Sequence, residues 1–213
     1  MRAKVCGLNS VQQMMQLDEM GVEFAGFIFY PKSPRYVLKT SSRTELKKAK
    51  GATINKVGVF VNEEPDQLLT LVDECGLYLA QLHGDETPRY CEKIADYISV
   101  IKAFRLRDDD DILWKIKDYQ DIVDMFLFDT AGAEYGGTGK RFNWDILCSL
   151  NINKPFFLSG GIGPDDLLAL QSFKSDPVAK DLFAIDVNSK FEISPGIKNM
   201  DLITPFIKQL KQI

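Results

Sequence analysis

The sequence predicts a (βα)8 barrel of the α/β class, in which eight parallel strands close into a barrel surrounded by helices. Short apolar runs recur along the chain, each is followed by a polar-faced helical stretch, and several are almost continuously apolar, as strands buried on both faces are. Eight such repeats favour a closed barrel over an open doubly wound sheet. The 213 residues are few for this fold but sufficient, and with no linker in view we expect residues 1–213 to form a single domain.

The predicted strands are rich in β-branched and aromatic residues, which suit a pleated, buried surface. In chain order they are Lys4–Gly7, Phe24–Phe29, Asn55–Val61, Leu79–His83, Ser99–Phe104, Met125–Asp129, Phe156–Ser159 and Phe183–Val187.

The helices between them are predicted from capping signals as well as from periodicity. Ser10–Met20 starts at a capping serine and stops before a glycine, and Pro65–Cys75 starts with proline at its first position. The acidic run Asp108–Asp111 is expected to cap a helix and to be solvated. The remaining predicted helices are Ser41–Lys50, which is the most polar, Thr87–Ala95, Asp109–Lys117, Asn143–Leu150, Pro164–Phe173 and Asp201–Gln212.

Composition excludes several classes of function. Lys and Arg total 26 against 30 Asp and Glu, a net charge of -4, which argues against a nucleic-acid or membrane-surface partner. No apolar run is long enough to span a bilayer, and no targeting segment is recognisable. The four cysteines lack zinc or disulfide spacing and there is a single histidine, His83. We therefore expect a cytoplasmic enzyme that uses no metal and no cofactor.

Active sites of barrel enzymes lie where the strands end and the following loops begin. The positions at these predicted ends are Cys6, Tyr30–Tyr36, His83, Asp129, Gly132–Lys140, Gly160–Gly163 and Asp186–Ser189.

Three consecutive loops predict a phosphate site. Gly136–Gly139, Ser159–Gly161 and Val187–Ser189 follow the sixth, seventh and eighth strands. Glycine lets backbone N–H groups approach an anion closely, and barrel enzymes often hold phosphate after strands seven and eight. The alternative, that these glycines only form tight turns, is the weaker one for three successive strand ends. Neither a Walker loop nor a dinucleotide-binding motif fits.

Asp129 and Cys6 are the candidate acid and base. A carboxylate at the mouth of an apolar strand is partly desolvated, which favours proton donation, although a loop cap or an ion pair remains the alternative. A thiol at a strand end can serve as base or nucleophile. From position alone an inert buried cysteine is the better interpretation of Cys6.

Arg35 and His83 are the candidate substrate contacts. Arg35 lies in a loop with two prolines, where a guanidinium could bind a carboxylate through two hydrogen bonds, or could be solvated. His83 could orient substrate or could be a hydrogen-bonded structural histidine.

Taken together, segments along nearly the whole chain resemble the phosphoribosylanthranilate isomerase family of tryptophan biosynthesis. The most specific are the run from Gly26 to Tyr36 and the Phe128-Asp-Thr triplet. Further matches are Lys4-Val-Cys-Gly-Leu, Val57-Gly-Val-Phe-Val-Asn, Gln81-Leu-His-Gly-Asp-Glu, Gly136-Gly-Thr-Gly-Lys, Leu158-Ser-Gly-Gly-Ile and Asp186-Val-Asn-Ser.

The resemblance implies a (βα)8 barrel and an Amadori rearrangement of a phosphorylated aminoaldose, with Cys6 as general base and Asp129 as general acid. It implies that Arg35 binds the anthranilate carboxylate. For the phosphate it implies Gly137, Gly139, Gly161 and Asn188 or Ser189. We further expect His83, Gly160 and Asp186 to contact the substrate.

The chain departs from the family after Asp186-Val-Asn-Ser, where Lys190-Phe191-Glu192 replaces the usual Gly-Val-Glu. Lys190 could assist phosphate binding or be solvated. Three rivals remain open: a histidine-pathway sugar isomerase, which would be expected to carry aspartates in both catalytic places; a Schiff-base aldolase using Lys102; and a non-catalytic sugar-phosphate-binding barrel. We expect a monomer or a simple homodimer.

Overall fold

The computed structural model describes residues 1–51, 53–131, 143–148 and 150–213, and within them it contains a closed barrel of eight parallel strands. Each strand pairs with the next, and the eighth pairs with the first. This confirms the predicted fold class. The strands are β1 (Ala3–Val5), β2 (Phe24–Ile28), β3 (Asn55–Phe60), β4 (Leu79–Leu82), β5 (Val100–Leu106), β6 (Met125–Thr130), β7 (Phe156–Leu158) and β8 (Leu182–Val187).

Helices follow the strands in the predicted order. They are α1 (Val11–Glu19), α2 (Arg43–Lys48), α3 (Pro65–Cys75), α4 (Pro88–Ala95), α5 (Ile112–Ile116), α6 (Asp145–Cys148), α7 (Leu167–Lys174) and α8 (Met200–Leu210). The expected caps are in place: the Ser10 side chain accepts from the Gln13 N–H, and α3 begins at Pro65 and ends at Gly76. Asp111 caps α5, as the acidic run predicted.

Some predicted helices are shorter in the structure. The polar segment predicted as Ser41–Lys50 is helical only over α2, where Ser42 and Glu45 form a reciprocal capping box. The segment predicted as Asp109–Lys117 begins at Ile112, because the aspartates before it form the turn and the cap.

One element was not predicted. After β8 the chain forms a small antiparallel hairpin of β9 (Glu192–Ser194) and β10 (Ile197–Lys198) before α8 begins. The hairpin is fastened to α1 through Gln13, whose Nε2 donates to the Gly196 carbonyl at 3.0 Å and whose Oε1 accepts from the Lys198 N–H at 2.6 Å.

Alternation along the strands separates two apolar layers. In β6, Met125 and Leu127 belong to the cluster inside the barrel, whereas Phe126 and Phe128 pack against the surrounding helices. Because successive side chains of a strand point to opposite faces, the next inward position of β6 is Asp129. By the same alternation, the last inward side chain of each strand lies at the end of the barrel where the carboxyl ends of the strands meet. None of the described helices is long and apolar enough to cross a membrane.

Candidate active site

A cavity opens at the carboxyl ends of the strands. It contains most of the residues that the sequence singled out. Its lining is Cys6, Ile28, Tyr30, Ser33, Arg35, Val59, Val61, Gln81, His83, Asp129, Ser159, Gly161, Ile162, Asp186, Asn188 and Ser189. Gly160 is buried directly beside this lining, and Gly137 and Gly139 lie outside the described residues.

Cys6 lies one residue past the end of β1 and is buried against the neighbouring strand. A Cβ atom at Gly26 would be 2.8 Å from the Cys6 Sγ, so only glycine leaves room for the thiol there. Two residues earlier on the same inward face, the Lys4 Nζ donates to the Asp186 Oδ1 at 3.0 Å.

The groups around Cys6 shift the pKa of its thiol in both directions. Burial raises the pKa of the Cys6 thiol, the nearby Lys4 ammonium opposes that rise, and Asp186 adds to it. Burial acts to lower the pKa of Lys4, but the Asp186 carboxylate and the Cys6 thiolate together outweigh it, so the pKa of Lys4 is raised and the amine is held as a cation. A permanent positive charge therefore lies beside the thiol.

Asp129, three strands from Cys6 around the barrel, faces a histidine. Its Oδ1 accepts from the Thr130 N–H at 2.8 Å, and its Oδ2 is 3.4 Å from the His83 Nε2. The other ring nitrogen, Nδ1, is 2.7 Å from the Gln81 amide nitrogen. Since an amide N–H can only donate, Nδ1 accepts, and a neutral His83 carries its hydrogen on Nε2, toward Asp129.

Arg35 is not a solvated loop arginine. Its Nε and Nη2 donate to the two carboxylate oxygens of Glu192, at distances of 2.7 to 3.1 Å, and the side chain is only 11% exposed. The Nε edge of the guanidinium is thus occupied, which leaves its Nη1 side for an anion in the cavity.

The loops after β7 and β8 supply the glycine and polar backbone expected of an anion site. Gly160 and Gly161 have φ values of 92° and 69°, a left-handed conformation that favours glycine at both positions. Asn188 and Ser189 line the same part of the cavity. The Lys190 side chain is exposed and lies next to Gly163, and it does not line the cavity.

Lys102, the candidate Schiff-base amine, forms a buried ion pair. Its Nζ is buried and donates to the Gly84 carbonyl and to the Glu86 Oε2, both at 2.8 Å. A cation paired in this way is a poor nucleophile. The cysteines other than Cys6 lie in helices, as predicted, and all four are free.

The sequence reasoning missed Lys4, Gln81, Glu192 and Lys198. A signal existed for the first two, because counting back two residues from Cys6 and from His83 along an alternating strand gives the next inward side chains. Glu192 and Lys198 contact the site from the unpredicted hairpin, and no local pattern indicates that contact.

Comparison with known proteins gives one consistent result. The family model for N-(5'-phosphoribosyl)anthranilate (PRA) isomerase matches residues 3–209. The N-(5'-phosphoribosyl)anthranilate isomerase of Phocaeicola vulgatus is 41% identical over 210 residues, which cover 98% of this chain and 97% of the relative.

Solved structures agree with the sequence relatives. A phosphoribosylanthranilate isomerase in complex with reduced 1-(o-carboxyphenylamino)-1-deoxyribulose 5-phosphate matches with a TM-score of 0.82 and 32% identity, covering 100% of this chain and 99% of the other. Monomers made from the dimeric isomerase of Thermotoga maritima match over the same shares, with a TM-score of 0.81 and 31% identity.

Proposed function

Because the chain belongs to the N-(5'-phosphoribosyl)anthranilate isomerase family, we propose that it carries out that reaction in tryptophan biosynthesis. The reaction is the Amadori rearrangement of N-(5'-phosphoribosyl)anthranilate to 1-(2-carboxyphenylamino)-1-deoxy-D-ribulose 5-phosphate. The observation that carries the proposal is that Cys6 and Asp129 line one cavity from separate sides of the barrel mouth.

Asp129 acts first, as general acid. It donates a proton to the ribose ring oxygen, the bond from that oxygen to C1' breaks, and the nitrogen lone pair forms the C1'=N bond of an iminium ion. The Thr130 N–H donates to the Asp129 Oδ1, and the Asp129 Oδ2 faces the His83 ring at 3.4 Å, so the carboxyl group is oriented at the cavity wall.

Cys6 acts second, as general base. Its thiolate removes the C2' proton, the C–H electrons form a C1'=C2' bond, and the iminium nitrogen regains its lone pair. The resulting enolamine gains a proton at C1' and loses the proton of its C2' hydroxyl, which gives the ketone, and proton exchange with solvent restores the Cys6 thiolate and the Asp129 acid. The iminium is the electron sink, so these steps need no metal or cofactor. Burial raises the pKa of the Cys6 thiol, and the Lys4 ammonium partly offsets that rise by stabilising the thiolate.

Two anchors hold C2' between acid and base. Arg35 binds the anthranilate carboxylate, and the phosphate is bound by backbone groups of the last three loops, where Gly137, Gly139, Gly160, Gly161, Asn188 and Ser189 are the proposed contacts. His83 and Asp186 complete the substrate contacts. Fixing both ends of the substrate brings the reacting atoms together, and such positioning can supply much of the rate enhancement.

We further propose that residues 1–213 act as one domain, in the cytoplasm, as a monomer or a simple homodimer. The free cysteines suit a reducing compartment. Light scattering on the purified protein distinguishes the two oligomeric states.

Turnover is the direct test. The substrate is generated in situ from anthranilate and phosphoribosyl pyrophosphate with the preceding enzyme of the pathway, its fluorescence loss is followed, and the ketose is identified by NMR. Fast loss with ketose formation supports the isomerase. Binding of the reduced product analogue by the folded protein without turnover would instead support the sugar-phosphate-binding barrel.

A further inference from the structure

We propose that Glu192 and Lys198, the paired charges of the β9–β10 hairpin, are positioning residues that fix Arg35 and Asn188 and so couple the carboxylate end of the site to its phosphate end. This inference rests on the proposed function, because it assigns roles within the same site. It adds two residues that do not line the cavity themselves.

Glu192 holds the Arg35 guanidinium from the side away from the cavity. Three donor–acceptor pairs, from Nε to both carboxylate oxygens and from Nη2 to Oε2, fix the plane of the guanidinium. A free arginine in a loop would sample many rotamers, and ordering it on substrate binding costs free energy. The ion pair removes that cost before the substrate arrives.

Lys198 makes the corresponding contact to the phosphate loop. Its side chain is fully buried, and its Nζ donates to the Glu192 Oε1 and to the Asn188 Oδ1, both at 2.8 Å. One ammonium therefore bridges the carboxylate that holds Arg35 and the residue that begins the loop after β8. The group of two cations and one carboxylate has an excess positive charge, which an anionic substrate would offset.

The two positioned residues meet on the backbone beside Cys6. Gly7 has a φ of 76°, and a Cβ atom there would lie 2.6 Å from the Asn188 Oδ1 and 2.7 Å from the Arg35 Cδ. The carboxylate anchor and the first residue of the phosphate loop thus both approach the backbone of Gly7, the residue after the base. A shift in the charge pair behind them would change the geometry of all three.

The hairpin does not depend on this pair alone for its fold. The Gln13 contacts to Gly196 and Lys198 fasten it, and the ring of Phe191 packs against Phe206 with 4.7 Å between centroids. Uncharged substitutions in the pair are therefore compatible with a folded barrel, and their effects on activity can be measured.

A double-mutant cycle separates positioning from a merely structural role. We expect Glu192→Gln to reduce kcat/KM by about 30-fold, mainly through KM. In an Arg35→Met background the same change should cost only about threefold, because most of its effect passes through the guanidinium and only the part through Lys198 remains. Glu192→Asp, which keeps the charge, should recover part of the loss. Glu74→Gln, which removes the carboxylate of an exposed pair with Arg43, should leave kcat/KM unchanged.

Lys198 is tested at the other end of the site. Lys198→Met should raise the inhibition constant of inorganic phosphate about tenfold, and Lys198→Gln, which keeps a donor toward Asn188, should raise it less. Circular dichroism and melting temperature report folding. Equal losses from Glu192→Gln in both Arg35 backgrounds, or an unchanged phosphate constant in Lys198→Met, would overturn the inference.

The same cycle run on calorimetric affinity for the reduced product analogue does not require turnover. An inactive but analogue-binding wild type would therefore refute the proposed function while the coupling of Glu192 to Arg35 could still be measured. If the wild type is active and the losses from Glu192→Gln and Arg35→Met are additive, only the positioning role would be refuted.

Discussion

Lys4 and Asp186 are register partners at the seam where β8 closes the barrel onto β1, and their side chains form an ion pair of 3.0 Å inside it. Cys6, one residue past the end of β1, is the next inward residue after Lys4. The two members of the pair have opposite effects on the Cys6 thiol, because the ammonium lowers its pKa and the carboxylate raises it.

The first prediction is a pair of opposite shifts in the pH profile. If the thiolate is the active form, kcat/KM rises with pH through the pKa of Cys6. Lys4→Met removes the stabilising cation, raises that pKa and moves the ascending limb to higher pH. Asp186→Asn removes the opposing anion and leaves the Cys6 thiolate as the counter-charge of Lys4, which lowers the pKa of the thiol and moves the limb to lower pH. Steady-state kinetics across the pH range measure both shifts.

If the two variants shift the ascending limb of the pH profile in the same direction, or not at all, the pKa of Cys6 does not set that limb. Urea unfolding of each variant is the control, since each change leaves one buried charge without its partner.

The second prediction concerns the tautomer of His83, the only histidine in the chain. The Gln81 amide donates to Nδ1, so the neutral ring should carry its hydrogen on Nε2. NMR of protein labelled with 15N-histidine reports the tautomer without overlap. Gln81→Leu should reduce this preference and lower kcat about tenfold, because the ring no longer holds the Asp129 carboxyl in place.

Observation of the Nδ1–H tautomer in the wild type would mean that the oxygen of the Gln81 amide, and not its nitrogen, faces Nδ1. It would also remove the donor that faces Asp129.

The third prediction tests the phosphate loop with two glycines of similar backbone conformation. Gly161 lines the cavity with a φ of 69°, and Gly76 ends α3 far from it with a φ of 62°. Alanine at either position should cost about 1 kcal/mol in the free energy of unfolding. Of the two variants, only Gly161→Ala should raise KM, by about tenfold, because Gly161 lies in a loop that approaches the phosphate and Gly76 does not. Equal KM values for the two variants would contradict this assignment.

The fourth prediction concerns the buried pair of Lys102 and Glu86, which are 3% and 4% exposed. Lys102→Met or Glu86→Gln alone leaves one buried charge uncompensated and should reduce the free energy of unfolding by about 3 kcal/mol. The double variant, which leaves neither charge, should lose less than the sum of the two single losses. Urea titration provides the three values, and strictly additive losses would mean that the pair is not coupled.

Much of the fold could be predicted because each strand carries its own signal. The eight apolar runs, the capping serine at position 10 and the glycine after α3 are local features, and all appear in the structure as expected. The β9–β10 hairpin could not be predicted, since its strands have only three and two residues and their pairing depends on contacts with α1.

The structure brings the strand-end residues Cys6 and Asp129 to one cavity, but position alone favoured an inert Cys6, and its role as base came from the family resemblance. Contacts between distant parts of the chain were missed. Arg35 and Glu192 are 157 positions apart, so their pairing has no local pattern. Lys4 resembles any charged residue near a terminus until its inward direction on β1 is known. Gly137 and Gly139 lie outside the described residues, and their role stays a prediction.

The most direct test of the account is a comparison of Cys6→Ala and Asp129→Asn with the wild type in single-turnover fluorescence decay of phosphoribosylanthranilate. Cys91→Ala is the matched control, because Cys91 is a buried cysteine of α4 that does not line the cavity. The account predicts losses of at least about 100-fold in the two site variants and none in the control. Wild-type rates in a folded Cys6→Ala or Asp129→Asn protein would contradict the assignment of the base or the acid.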